Sequence, residues 1–376
     1  MLRFLPLSLI AEKETNLPMF VTLLIKLQKS IPKALQRSRP LPLPTRHDSL
    51  HGETDLNAVT FFSPVQEQIK LVEERMRAQA DDSHSDLRAA LEHLLAAGGK
   101  RIRPTLGLLV GNMLGAPLEK IVTLGAAVEL LHTATLVHDD LIDGSLLRRG
   151  MPTLNARWSP PATVLTGDFL FARAAKLAAE TDYLPLMKLF SETLATIVNG
   201  ELTQMFTSRG LVSRDNYYKR IYAKTASLFE MTSRSAAMVS PASDATIESM
   251  RDFGYQIGMA FQIVDDILDF NGEQSTVGKP LGSDLLNGLV TLPAIYYAES
   301  NPEDADVLSL PNGGWTNNEN MTRLVDNIRT SNATQKAMVE AEQHIDRALT
   351  HLEPLEPCAE RDALENLAKY IVDRKV

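Results

Sequence analysis

Leu131-His132-Thr133-Ala134-Thr135-Leu136-Val137-His138-Asp139-Asp140-Leu141-Ile142-Asp143 is an apolar stretch that ends in three aspartates. Leu124, Val128 and Leu131 lead into it at helical spacing. Asp139 and Asp143 are four residues apart and share a helix face. Like charges at that spacing destabilise an isolated helix by about 0.2–0.5 kcal/mol. Aspartate is also a poor helix former, so something outside the helix must offset the arrangement. The pattern returns at Asp265-Asp266-Ile267-Leu268-Asp269, again at the end of an apolar stretch. With aspartate near 5% of residues, chance gives one such motif in about one chain in twenty, and two on the order of once in a thousand. A solvated acidic face explains one cluster easily and two poorly. A hard divalent cation explains both: Mg²⁺ prefers oxygen ligands and is commonly held by one or two carboxylates plus substrate phosphate oxygens.

Outward from the clusters lie the matching cations. Gly98-Gly99-Lys100-Arg101-Ile102-Arg103-Pro104 sets three of them beside a glycine pair, and Arg148-Arg149-Gly150 follows the first aspartate cluster. Arginine matches phosphate oxygens in bidentate fashion, while lysine acts as a point charge. Either patch alone reads as a surface cluster. Together with the aspartates they suggest two diphosphates, one held through metal and one held directly. His132 lies two turns before Asp139, Gln262 one turn before Asp266, and Lys224-Thr225 opens a small-residue helix. Chemistry alone singles out none of these three.

The wider chain reads as all-α. From about Phe62 the pattern is helical, with Ile345, Leu349 and Leu352 repeating the spacing near the far end. Proline and glycine clusters such as Ser159-Pro160-Pro161 and Pro311-Asn312-Gly313-Gly314 punctuate it. No set of strands with period-two alternation stands out. A single helical domain over residues 56–376 is expected, preceded over residues 1–55 by a basic extension. Pro40-Leu41-Pro42-Leu43-Pro44 there suggests an extended linker. A transit peptide, a disordered tail and a start codon placed too far upstream all fit that composition. The net charge of −9 argues against nucleic acid as the main partner. A single cysteine, Cys358, excludes internal disulfides and Cys-rich metal sites. Beyond the N-terminal region no run is expected to span a membrane.

Taken together these motifs resemble the trans-isoprenyl (polyprenyl) diphosphate synthase family from about Pro64 to the end. The likeness also takes in Gly167-Asp168-Phe169-Leu170, Gly200-Glu201-Leu202, Lys224-Thr225-Ala226-Ser227, Phe261-Gln262, Gly278-Lys279-Pro280 and Thr291-Leu292-Pro293. It implies a bundle of long, mostly antiparallel helices around a central cavity, usually in a homodimer. It implies Mg²⁺ held by Asp139, Asp143 and Asp265, with Asp269 also counted as a ligand, and Asp140, Asp266 and Lys224 in the catalytic set. Arg148, Lys224, Thr225, Gln262 and Lys279 would line the allylic diphosphate site. Lys100, Arg103, His132 and Arg149 would bind isopentenyl diphosphate. Leu289 departs from the lysine that many members carry, which removes one cationic contact.

The implied chemistry is metal-assisted ionisation of the allylic diphosphate, attack by the isopentenyl double bond, and proton loss to the departing diphosphate. In the family a bulky aromatic just before the first aspartate limits growth. Here Ala134 and Thr135 are small, so a long product of C30 to C50 is expected, with Phe169 and Phe171 as candidates for a deeper floor. A geranylgeranyl or farnesyl diphosphate synthase, a class I terpene cyclase and a non-catalytic subunit are the alternatives. The resemblance to bacterial members favours the cytoplasm, and a genuine transit peptide would favour the mitochondrion.

Overall fold

The computed structural model describes residues 61–206, 213–271 and 281–374. The basic extension expected over residues 1–55 lies outside them. Four helices open the fold: α1 (Gln66–Arg77), α2 (Ser85–Ala96), α3 (Ile102–Met113) and α4 (Leu118–Ile142). A short hairpin, β1 (Leu147–Arg148) and β2 (Met151–Pro152), leads to α5 (Leu154–Arg157), α6 (Pro160–Ala179) and α7 (Leu184–Phe206). Helix α8 (Arg214–Ile221) runs through a π-helical turn, Tyr222–Ala226, into α9 (Ser227–Met238), and α10 (Asp244–Asn271) follows. The closing part comprises α11 (Ser283–Leu286), α12 (Leu292–Ser300), α13 (Ala305–Ser309), α14 (Asn318–Thr330), α15 (Ala333–Thr350) and α16 (Ala359–Asp373).

Helix α4 is apolar on every side, and such a helix must be covered by others. Ile121, Leu124, Val128, Leu130, Leu131 and Ala134 are all fully buried. Helices α1, α3, α6 and α9 pack around it. Among the described residues α4 is the one helix long and apolar enough to cross a membrane, a run the sequence was not expected to contain. Its burial makes it the core of the bundle instead.

Helix α10 is the second axis, covered by α9 and α15. Its approach to α9 requires glycine. A Cβ at Gly254 would meet the Phe229 carbonyl oxygen at 2.6 Å, and one at Gly258 would meet the Ala226 Cα at 2.6 Å. Helix α9 touches both α4 and α10, so it sets the spacing between the two aspartate-bearing helices. Helix α16 then packs on α3, α10 and α15.

Among the described residues the hairpin is the one strand pairing, and the sequence pattern does not suggest it. Its register pairs Leu147 with Pro152 and Arg148 with Met151. Arg149 and Gly150 both take left-handed backbone angles, φ 52° and 74°, as a tight two-residue turn demands.

His344 on α15 is buried, and its Nδ1 donates to Gln256 Oε1 on α10 at 2.6 Å. Burial, with help from Arg347, pushes the imidazole down to about 4. The unfolded chain therefore takes up this proton near pH 6.5, and the folded chain only near pH 4. The stability this group provides is complete above about pH 6.5 and falls as the pH drops through that window, by on the order of 2–3 kcal/mol. Urea unfolding at pH 7.5 and 5.0 checks this: His344→Gln is expected to lose less stability on acidification than wild type. Equal losses contradict the assignment.

Candidate active site

The first aspartate cluster closes α4, and its members separate by face. Asp139 is half-buried and Asp143 is exposed, on the same side of the helix. Asp140 is buried at 7% exposure and accepts from Arg148, whose Nε lies 3.0 Å from both carboxylate oxygens. This pair fixes the hairpin to the end of α4. Facing Asp139 is Lys224, carried by the π-helical turn and 3.2 Å from Glu201 Oε1. Turns of this kind insert a residue into a helix and recur at functional sites. Enclosure opposes the lysine's charge, but Glu201, Asp139 and Asp143 outweigh it and hold the ammonium protonated. Asp139 is pushed up to about 6, first by burial and then by Glu201 and Asp143, against the pull of Lys224 and Arg148.

The second cluster divides in the same way. Asp265 faces the cleft, and Arg374 donates to its Oδ1 at 2.7 Å. Burial raises Asp265, while Arg374, Arg103 and Lys100 oppose the shift. Asp266 points into the protein, where Tyr217 Oη and Gln262 Nε2 each donate to it at 2.8 Å. Burial pushes it up to about 7, with Asp284 adding to the shift and those two hydrogen bonds opposing it. Thr225 completes the chain by donating to Gln262 Oε1 at 2.6 Å. Asp269 accepts from Ser283 Oγ at 2.7 Å and from the Asp284 amide at 3.1 Å, so it secures the start of α11.

The basic wall comes from the start of α3, from α4 and from the hairpin turn. Arg103 is enclosed, lies over the Phe229 ring at 4.6 Å, and points Nη1 at His132 Nε2 at 3.3 Å. Burial pulls it down to about 10 despite Glu129 and Asp265. Its Nε is buried with no hydrogen-bond partner, a cost of about 1–3 kcal/mol that an anionic ligand could relieve. His132 is held neutral by burial and then by Arg103 and Arg149, so its Nε2 accepts from Arg103. Lys100 Nζ donates to Tyr370 Oη at 2.6 Å, and Arg149 donates to the Gly98 carbonyl. Arg101 is different in kind. It bridges Glu73 at 3.0 Å and Glu129 at 2.9 Å, tying α3 to α1 and α4.

A cleft of about 270 Å³ brings these groups together. Lys100, Arg103, His132, Thr135, Asp139, Arg148, Arg149, Lys224, Thr225, Gln262 and Asp265 all line it. Ala134 is fully buried in the core, and Phe169 and Phe171 are half-buried on α6. Lys279 lies outside the described residues. Arg374, Tyr370, Tyr217 and Glu201 were not singled out from sequence. Each acts through a partner far along the chain, and only the glutamate stood in a quoted motif.

The donor set suits a hard divalent cation. Asp139 and Asp265 offer carboxylate oxygens to the cleft from two walls, Asp143 lies one helical turn beyond Asp139 outside the cleft lining, and the described residues contain no group of three ligands close enough to hold an ion alone. Such a site needs oxygens from a bound anion to complete it, which is the habit of Mg²⁺.

A profile of the polyprenyl synthetase family matches residues 84–328. The chain belongs to this family. It is a polyprenyl diphosphate synthase, a trans-prenyltransferase. It is 35% identical over 314 residues to heptaprenyl diphosphate synthase component 2 of Geobacillus stearothermophilus, covering 83% of this chain and 98% of that one. It is 39% identical over 288 residues to the geranyl-diphosphate-specific all-trans-nonaprenyl-diphosphate synthase of Rhodobacter capsulatus, covering 75% and 87%. The crystal structure of a Caulobacter crescentus polyprenyl synthase complexed with calcium and isoprenyl diphosphate superposes with a TM-score of 0.79 at 34% identity, covering 85% and 98%.

The two halves of the first motif should respond differently in this polyprenyl diphosphate synthase. Asp140→Asn is expected to lower unfolding free energy by about 1–2 kcal/mol, discounted for the partial exposure of Arg148. Asp139→Asn is expected to keep or raise stability, because burial, Glu201 and Asp143 disfavour its charge, and to abolish metal-dependent turnover. Denaturant titration beside a prenyl-transfer assay separates them, and matching effects from the two variants contradict the division.

Proposed function

We propose that residues 56–376 form a Mg²⁺-dependent catalytic domain that extends allylic diphosphates with isopentenyl diphosphate to a product of C30 to C50. The observation that carries this reading is the cleft itself, with Asp139 and Asp265 on opposing helices and Lys100, Arg103 and Arg149 along one wall. Mg²⁺ held by Asp139, Asp143 and Asp265 would supply positive charge to the leaving diphosphate. Lys224 adds a fixed cation beside it. Thr225 and Gln262, linked to each other, offer hydrogen bonds along the same side. Arg103 and Arg149 hold the second diphosphate, with neutral His132 orienting the Arg103 guanidinium. The apolar lining from Leu136, Ile197, Leu228 and Phe261 excludes water that would capture an allylic cation. None of these steps needs a side-chain nucleophile.

Small Ala134 and Thr135 support the long product, as do the heptaprenyl and nonaprenyl names of the relatives. A homodimer fits the apolar side chains left uncovered on α6 and α7, where Leu165 is 67% and Phe206 83% exposed. The bacterial relatives support a cytoplasmic enzyme.

Purified protein with Mg²⁺, labelled isopentenyl diphosphate and farnesyl diphosphate provides the test, with the products dephosphorylated and sized. A ladder ending at C30 or beyond is expected, absent in Asp139→Ala and shortened in Thr135→Phe and Ala134→Phe. Because Ala134 is fully buried, its variant is read only beside its melting temperature. Wild-type products stopping at C15 or C20 would overturn the length reading. Failure to consume isopentenyl diphosphate with any allylic starter would overturn the assignment of a self-sufficient enzyme.

A further inference from the structure

Arg374 follows the last residue of α16, and its side chain is 9% exposed. Each of its nitrogens has a defined acceptor. Nη1 donates to Asp265 Oδ1 at 2.7 Å, Nη2 to the Phe261 carbonyl at 3.0 Å, and Nε to the Ile371 carbonyl at 3.1 Å. The guanidinium also stacks on the Phe261 ring at 4.1 Å. A surface arginine meeting a carboxylate by chance makes one contact; this one occupies a built socket. The contact uses Oδ1 of Asp265, and no described residue donates to Oδ2. Asp265 lines the cleft, whereas Arg374 does not.

We propose that Arg374 is a positioning residue that locks the Asp265 carboxylate by one oxygen and leaves the other free for a metal ion. This rests on the reading that Asp265 is a metal ligand. The physical reason is preorganisation. A carboxylate on a half-exposed side chain rotates among several orientations, and a hydrogen-bonded partner behind it removes that freedom before the ion arrives. Outer partners of this type are worth roughly 10–100-fold in metal affinity. Helix α16 thereby supports the active-site wall from behind. Four residues earlier on the same helix, Tyr370 accepts from Lys100, so α16 backs a group on the basic side of the cleft as well.

Mn²⁺ binding to the full-length protein, saturated with the unreactive analogue farnesyl S-thiolodiphosphate, tests the proposal through the electron paramagnetic resonance signal of the free ion. Asp265→Asn identifies the ion that depends on Asp265. Arg374→Gln is expected to weaken that ion by about tenfold or more, and Arg374→Lys to recover part of the loss. Leu367→Val, which trims a buried apolar contact of the same helix, is expected to leave the affinity unchanged. Unchanged binding in Asp265→Asn overturns both the metal reading of Asp265 and this proposal. Weakened binding in Asp265→Asn with unchanged or tighter binding in Arg374→Gln overturns the proposal alone, tighter binding meaning that Arg374 competes with the ion. Equal losses in Arg374→Gln and Leu367→Val also overturn it, since they would reflect a loosened helix.

Discussion

A helix that is apolar on every side can persist in water only when other helices cover it. Helix α4 meets that condition with α1, α3, α6 and α9 around it. The cover ends where Asp139 and Asp143 begin, so the hydrophobic constraint that builds the bundle also fixes where its carboxylates emerge. Helix α10 repeats the arrangement across α9, with Gly254 and Gly258 setting the approach. The cleft is the space left between two covered helices that both end in charge.

That space is electrostatically incomplete by itself. Asp139 is raised by burial toward the point where it would hold its proton, and Arg103 is lowered by burial toward the point where it would lose one. Both shifts express charges taken from water without full compensation. Lys224 is the exception, because three carboxylates surround it. A metal ion would relieve the carboxylates and a diphosphate would relieve the cations, so the two ligands would complement the protein and each other. Within each aspartate triplet one member, Asp139 or Asp265, lines the cleft. Asp140, Asp266 and Asp269 are already committed to Arg148, to Tyr217 and Gln262, and to the start of α11.

Most of the fold was legible because α4 and α10 carry long, regular apolar patterns that end in an uncommon motif. The opposed clusters and the basic wall followed from residue type and spacing. What spacing could not provide was the division of labour inside each triplet. Asp140 and Asp139 are the same residue one position apart, and only the hairpin's return brings Arg148 to the former. Asp269, expected from the resemblance to share in metal binding, also accepts from Ser283 and the Asp284 amide, partners that spacing does not announce. The π-helical turn at Lys224 was invisible because one extra residue in a helix leaves no mark on composition. Arg374 and Tyr370 were invisible for another reason: their partners lie more than a hundred residues away, and a basic residue at the end of an amphipathic helix ordinarily reads as solvated.

The central claim is that the two aspartate helices form one site for a metal-bridged diphosphate. Anomalous diffraction from crystals grown with Mn²⁺ and farnesyl S-thiolodiphosphate tests it most directly. Manganese peaks are expected beside Asp139 and Asp143 on one wall and beside Asp265 on the other, with the diphosphate between them and near Lys224. A diphosphate bound elsewhere, or manganese at only one of the two walls with no shared anion, would contradict it.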